Sequence, residues 1–204
     1  MIQAVFFDFG GVVASVDHGH MRRLEAEFGL PERALWRSMY ETPEWQELRV
    51  GRGSEGAWVA AIRRTLDELA GRPVAEAVSR RWVECWRGLD EGIMALVDAL
   101  RPRYRVGMIS NATLTLEDEL RDHHRIHDRF EVIVNSARVG VAKPDPRIYR
   151  HAAKALGLEP GACLHIDDLH HNIEGARQAG FAAAHYDGDF PALEKSLRAL
   201  GVQW

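Results

Sequence analysis

Phe6-Phe7-Asp8-Phe9-Gly10-Gly11-Val12-Val13 is the stretch that decides the fold. It closes an apolar run beginning at Ala4, short and without polar alternation, which predicts a strand buried on both faces. An Asp directly after such a strand, followed by paired glycines, sets a carboxylate where the backbone can bend close to a ligand. A turn with Asp as its turn former is the competing reading of the same residues.

Outward from this strand, similar runs predict further strands at Tyr104–Ile109, Val132–Val134 and Cys163–Ile166. Phe181–His185 predicts a fifth, weakened by alanine, a poor strand former. Helical patterns lie between them. Asp145-Pro146 opens one that carries Ile148, Tyr149, Ala152 and Leu156 towards Gly157. Another covers Asn172 to Ala179, and a last one opens at Pro191 and closes at Gly201. Alternating strands and helices predict an α/β fold, a doubly wound parallel sheet with a Rossmann-like core. One region breaks the alternation. From Val16 to Arg87 every signal is helical: Met21 to Phe28, Glu32 to Met39, starts at Thr42-Pro43 and Ser54, and Val74 to Trp86. The expected division is a catalytic core of residues 1–15 plus 88–204 and a small all-helical cap domain of residues 16–87. An insert of about 70 residues after the first strand would stand over the carboxyl ends of the sheet, where ligands bind. Such a lid excludes water and selects substrates.

Three more strand ends carry polar groups. Ser110-Asn111 follows the second strand: the hydroxyl can donate to a phosphoryl oxygen and Asn can bond nearby backbone, or the pair can simply cap a helix. Lys143-Pro144 lies between a strand and a helix, where the ammonium could neutralise an oxyanion or merely be solvated. Asp167-Asp168, with Asn172 beyond, ends the fourth strand. Adjacent carboxylates repel unless a cation intervenes, which points to a hard divalent ion, magnesium in particular. A parallel sheet would bring all four ends to one edge.

With these motifs in order, the sequence resembles the haloacid dehalogenase superfamily of hydrolases over essentially its whole length, including the helical cap class placed after the first strand. Asn172-Ile173-Glu174-Gly175-Ala176 is similar to the end of that family's fourth motif. The glycine-rich first motif is most similar to a bacterial sugar-phosphatase branch that includes aldose 1-phosphate phosphatases. The phosphatase domain of soluble epoxide hydrolases is a more distant likeness. The resemblance implies a magnesium-dependent phosphatase acting on a small phosphorylated metabolite. Asp8 would be the nucleophile, and the Gly10 carbonyl and Asp168 would join it around Mg2+. Ser110, Asn111 and Lys143 would hold the phosphoryl group, with Asp167 and Asn172 supporting the site. Most phosphatases of the superfamily carry a second Asp two residues after the nucleophile as general acid and base; here that position is Gly10. Asp17, His18 or His20, at the entry to the cap, is the expected surrogate. A metal-free carbon–halogen hydrolase and a non-catalytic binding module are the alternatives. The paired Asp167-Asp168 argues against the first and the retained Asp8, Lys143 and Asp168 against the second.

The remaining features bound the reading. A net charge of -4 over 204 residues gives no general attraction to nucleic acid or acidic membranes. No apolar stretch approaches the roughly 18–20 residues of a membrane span, and the apolar start lacks the basic flank of a secretory signal. Cys85 and Cys163 read as small core hydrophobes of a reducing compartment, hence the cytoplasm. The chain is expected to be a monomer or homodimer. His123, His124 and His127 include an i, i+4 pair that reads as a polar helix end rather than a zinc site. His170 and His171 would line the rim of the site. One or two among the cap residues Arg49, Arg52 and Trp45 are expected to reach substrate. Trp36, Trp58, Trp82 and Trp86 are expected in the cap core.

Overall fold

The computed structural model describes residues 1–82 and 85–204, with the backbone but not the side chains of Trp86 and Arg87. Trp86, expected in the cap core, thus lies outside the described side chains. The chain opens with β1 (Ala4–Phe7) and the short β2 (Ala14–Val16). Five helices follow: α1 (His18–Phe28), α2 (Ala34–Tyr40), α3 (Pro43–Leu48), α4 (Glu55–Ala70) and α5 (Ala75–Trp82). Next come β3 (Trp86–Leu89), α6 (Glu91–Leu100), β4 (Arg105–Ser110), the single turn α7 (Leu116–Asp118), β5 (Val132–Asn135) and α8 (Ser136–Val139). The last elements are α9 (Pro146–Ala155), β6 (Cys163–Asp167), α10 (His170–Gln178), β7 (Ala182–His185) and α11 (Phe190–Ala199).

All five predicted core strands form, in one sheet ordered β5-β4-β1-β6-β7. Every neighbouring pair is parallel. The order reverses at β1, the switch point beside which open α/β sheets bind ligands. Phe7 is level with Met108 of β4 and Ile166 of β6. Asp8, Ser110 and Asp167 therefore stand within two residues of that level at one edge. Alternation along β1 divides the core. Val5 and Phe7 join Ile93, Val97, Leu193 and Leu197 from α6 and α11 on one face. Ala4 and Phe6 join Ile148, Ala152, Ile173 and Ala176 from α9 and α10 on the other. Burying each phenylalanine is worth about 1.5–3 kcal/mol, which anchors the strand that carries Asp8.

The helices α1 to α5 build a cluster of their own around Leu24, Leu35, Leu66, Val74 and Val78. Thr42 and Ser54 cap α3 and α4, accepting from Trp45 N and Ala57 N. Buried Glu25 of α1 accepts from the amides of Arg33 and Leu35, tying the start of α2 to α1. The wholly helical reading of 16–87 needs correction at its edges. Among the described residues the helix expected over Val74 to Trp86 is α5 (Ala75–Trp82), with residues 83 and 84 outside them, and Trp86–Leu89 instead pairs antiparallel with β2. Gly88, at φ +84, cannot continue a helix, and the two-stranded ribbon satisfies the backbone where the chain leaves and rejoins the core.

One glycine sets how closely α10 approaches the lysine-bearing turn. A Cβ at Gly175 would overlap the carbonyl oxygen of Pro144. Gly56, in the first turn of α4, has open space around the same position. Ala is the better helix former at both sites, so packing decides the sign. Gly175→Ala is expected to destabilise the protein by roughly 1–3 kcal/mol, and Gly56→Ala to stabilise it by up to about 1 kcal/mol. Equilibrium urea unfolding measures both.

Candidate active site

Three strand ends and one loop deliver their polar side chains to one place; Lys143, expected directly after a strand, instead follows α8. Lys143, wholly buried, lies between two carboxylates: its Nζ is 2.8 Å from Asp8 Oδ2 and 2.6 Å from Asp167 Oδ2. An unpaired ammonium could not be buried at this depth. Burial pulls its pKa down, but Asp167 and Asp8 outweigh that and hold it above the ordinary lysine value. Its backbone is equally fixed. Asn111 Nδ2 donates to the Lys143 carbonyl at 2.9 Å, and Lys143 N donates to Asn111 Oδ1 at 2.8 Å. Asn111 borders the cavity and also spends its Oδ1 and one Nδ2 hydrogen on the Lys143 backbone, which positions the lysine.

Asp167 stands behind Asp8 with no exposed surface. Its Oδ1 accepts from Leu169 N and Asn172 Nδ2, and its Oδ2 from Lys143 Nζ and His165 Nε2. Burial would raise its pKa, yet Lys143 and His165 hold it well below the usual carboxylate range. Burial also keeps the His165 pKa below the ordinary value, so a neutral ring donates to Asp167. Tyr149 packs edge-on against that ring and donates its hydroxyl to the Asn172 carbonyl. His165 was not singled out from the sequence. Its signal was a histidine two residues before Asp167, hence on the same face of a buried strand.

Asp168 differs from its neighbour. Its Oδ1 is buried without a hydrogen-bond partner. Gly11, at φ +82, passes so close that a Cβ there would overlap Asp168 Oδ2. Burial, then the charges of Asp8 and Asp167, push its pKa up to about 8. Asp8 rises to about 6 through burial and the Asp167 charge, against the pull of Lys143. One oxygen from each of Asp8, Asp167 and Asp168 lies within 4.8 Å of the others, the one such gathering of ligand groups among the described residues. Oxygen donors with an unpartnered buried carboxylate fit a hard divalent cation. Since Asp167 already accepts four hydrogen bonds, Asp8 and Asp168 are the groups able to hold it.

These residues open on a cavity of about 490 Å³, bordered on the core side by Asp8, Gly10, Ser110, Lys143, Asp168 and Asn172. The opposite wall comes from α1–α5: Trp36, Met39, Tyr40, Trp45, Arg49 and Trp82. Trp36 and Trp82, expected only in the cap core, therefore serve both core and cavity. Trp58 packs behind Trp45, its Nε1 donating to the Met39 carbonyl. Arg49 and Trp45 reach the cavity as expected, and Arg49 Nη1 lies 3.5 Å from the Lys143 carbonyl. Arg52 does not, being paired with Glu47. The Tyr40 ring lies edge-on to Trp45 and tilted against Trp36. Burial and the charges of Asp8 and Asp168 push its pKa up to about 12.

Of the three expected surrogate acids the cavity wall holds His18, and neither Asp17 nor His20 borders it. Asp17 caps α1, accepting from His20 N, and lies 3.6 Å from Arg23. A helix start attracts an Asp to its own amides, which turns this one from the cavity. His171 also borders the cavity, while His170 stacks on His185, whose Nε2 donates to the Asp168 carbonyl. His123 and His124 lie at a separate depression beside Phe9.

Comparison with known proteins agrees with this geometry. The haloacid dehalogenase-like hydrolase family matches residues 2–180. A phosphatase of Mycobacterium tuberculosis is 31% identical over 190 residues, covering 89% of this chain and 86% of the relative. The D-ribitol-5-phosphate phosphatase of Bacteroides thetaiotaomicron is 26% identical over 189 residues, covering 89% and 90%. A solved haloacid dehalogenase-family enzyme from Bacteroides thetaiotaomicron superposes with a TM-score of 0.66 at 20% identity, over 93% of this chain and 96% of that one. A hydrolase family together with relatives named phosphatases supports an enzyme acting on phosphoester bonds. A doubly wound sheet with Asp8, Lys143 and the Asp167-Asp168 pair at its edge, matched over most of its length, places this chain in the haloacid dehalogenase-like hydrolase family.

Proposed function

We propose that this chain is a magnesium-dependent phosphatase that hydrolyses a small phosphomonoester through an aspartyl-phosphate on Asp8. One observation carries the reading: the Asp8 carboxylate borders the cavity, held by buried Lys143 at 2.8 Å and gathered with Asp168. Asp8 attacks phosphorus, and Ser110 and Lys143 steady the phosphoryl oxygens as charge redistributes. Asp8, the Gly10 carbonyl and Asp168 would hold Mg2+, which when bound offsets the repulsion between carboxylate and phosphate. Asp167, with Asn172 and His165, keeps Lys143 charged and in place. Residues 16–87 act as a cap domain that closes the cavity and excludes water. A related enzyme solved in complex with magnesium and inorganic phosphate and a relative named for a sugar alcohol phosphate support magnesium and a sugar-type phosphate. The burial of both Cys85 and Cys163 within apolar clusters supports a reducing compartment, the cytoplasm.

Asp8→Asn removes the attacking charge while nearly preserving shape. It is expected to abolish release of inorganic phosphate while leaving the thermal midpoint within a few degrees of wild type, and EDTA is expected to abolish wild-type turnover until Mg2+ is restored. A phosphate-release assay checks both, and substantial turnover by the variant would refute the covalent step.

The raised carboxylates predict a pH effect of definite sign. Folded-state values of about 6 for Asp8 and about 8 for Asp168 lie above their ordinary value of 3.8. The native protein thus retains protons that the unfolded chain has lost, and the associated stability disappears as pH rises through these values. Asp167 is shifted the other way and changes nothing in that window. The thermal midpoint of the metal-free protein is expected to fall from pH 5 to pH 8.5, and the increase caused by Mg2+ to grow over the same range. Calorimetric scans with EDTA or Mg2+ measure this, and a metal-free midpoint that rises with pH would contradict it.

A further inference from the structure

Gly10 leaves β1 without a proton donor for the departing alcohol, and we propose that Tyr40 of the cap fills that role, donating its hydroxyl proton to the leaving-group oxygen. The assignment rests on the phosphatase reading above. Besides Lys143 and Ser110, which face the phosphoryl group, four proton-bearing side chains suited to this task border the cavity: His18, Tyr40, Glu41 and His171. His18, Glu41 and His171 are exposed, whereas Tyr40 is half-buried. Its ring is held between Trp36 and Trp45 at centroid distances of 5.6 and 5.4 Å. Gln46 Nε2 donates to its carbonyl at 3.0 Å, fixing the end of α2. The hydroxyl has no hydrogen-bond partner among the described residues. Tyr40 borders the cavity within the field of Asp8 and Asp168, on the wall opposite the nucleophile, where in-line attack by Asp8 would drive the departing oxygen.

The chemistry suits the residue. With its pKa pushed up to about 12, Tyr40 keeps its proton at neutral pH and surrenders it only to a strong base such as an alkoxide. In the first step an Asp8 oxygen bonds to phosphorus as the phosphorus–alcohol oxygen bond breaks, and that oxygen takes the Tyr40 proton. This gives the alcohol, the aspartyl-phosphate and a tyrosinate. In the second step a water oxygen bonds to phosphorus, the bond to Asp8 breaks, and one water proton returns to Tyr40. The products are hydrogen phosphate and the original enzyme.

The leaving group separates this role from a structural one. 2-Phenylethyl phosphate releases a strongly basic alkoxide that needs a proton. 4-Nitrophenyl phosphate releases a phenolate that needs none. Tyr40→Phe keeps the ring against both tryptophans. It is expected to lower kcat on the phenylethyl ester by about 10²-fold and to stay within about threefold of wild type on the nitrophenyl ester, with an unchanged melting temperature. Equal losses on both esters would overturn the assignment, as would a loss confined to the alkyl ester appearing in His171→Gln or His18→Gln instead. A wild-type protein that hydrolyses neither ester with Mg2+ would sink the phosphatase reading and this assignment with it. Turnover of both by wild type, with an inert Asp8→Asn, leaves the phosphatase reading standing whatever Tyr40→Phe does.

Discussion

A single buried ammonium organises this protein's working edge. Lys143 has no exposed surface, and the two carboxylates beside it give that charge its compensation. Removing Asp167 from this buried set would leave the ammonium without its permanent countercharge, which costs several kcal/mol. The surrounding structure is arranged accordingly. Asn111 ties β4 to the lysine backbone, and Gly175 lets α10 press against the following proline. Asp167, anchored by His165, Asn172 and the Leu169 amide, supplies the permanent countercharge. Three strands and two crossovers are thereby locked to one point.

Around that point, three aspartates within a few ångströms behave differently because their partners differ. Asp167 accepts four hydrogen bonds and is held far below the usual range. Asp8 shares the same lysine but is reached by fewer donors, and rises to about 6. Asp168, beside the glycine turn and with one oxygen unpartnered, rises to about 8. Separation of pKa values by environment divides labour within a cluster of like groups. In the proposed mechanism one carboxylate is structural, one attacks and one holds a hard cation.

The cap meets this edge with chemistry of another kind. Its wall is aromatic and thioether-rich, and Arg49 and Tyr40 are polar points within it. Contact between the two parts is intimate at the loop after α3: Arg49 approaches the Lys143 carbonyl, and Gly51 passes so close to the Ala137 carbonyl that a Cβ would collide with it. With a glycine in the first motif, the proposed mechanism moves proton donation off β1 to Tyr40, so that the helical insert would complete the reacting set as well as select substrate.

Much of this was legible in the linear chain. Uninterrupted apolar runs ending in Asp8, Ser110 and Asp167 mark strands buried on both faces, and proline, glycine and hydroxyl punctuation marks the helices between them; both are local properties set by backbone sterics and burial. The converging strand ends follow from parallel pairing alone, which is why Asp8 and Asp168 could be named from sequence. What sequence left open depends on distances between residues remote in the chain. Asn111 turned to the Lys143 backbone, Asp17 to its own helix, and Trp36 and Trp82 to the cavity as well as the core. The ribbon that closes the cap appeared only through pairing of β2 with β3, about 70 residues apart. Residue type fixed which chemistry was possible here; the direction each side chain takes, and so its partner, charge state and role, came from packing, because polar groups commit to whichever donor or acceptor the folded chain brings within reach.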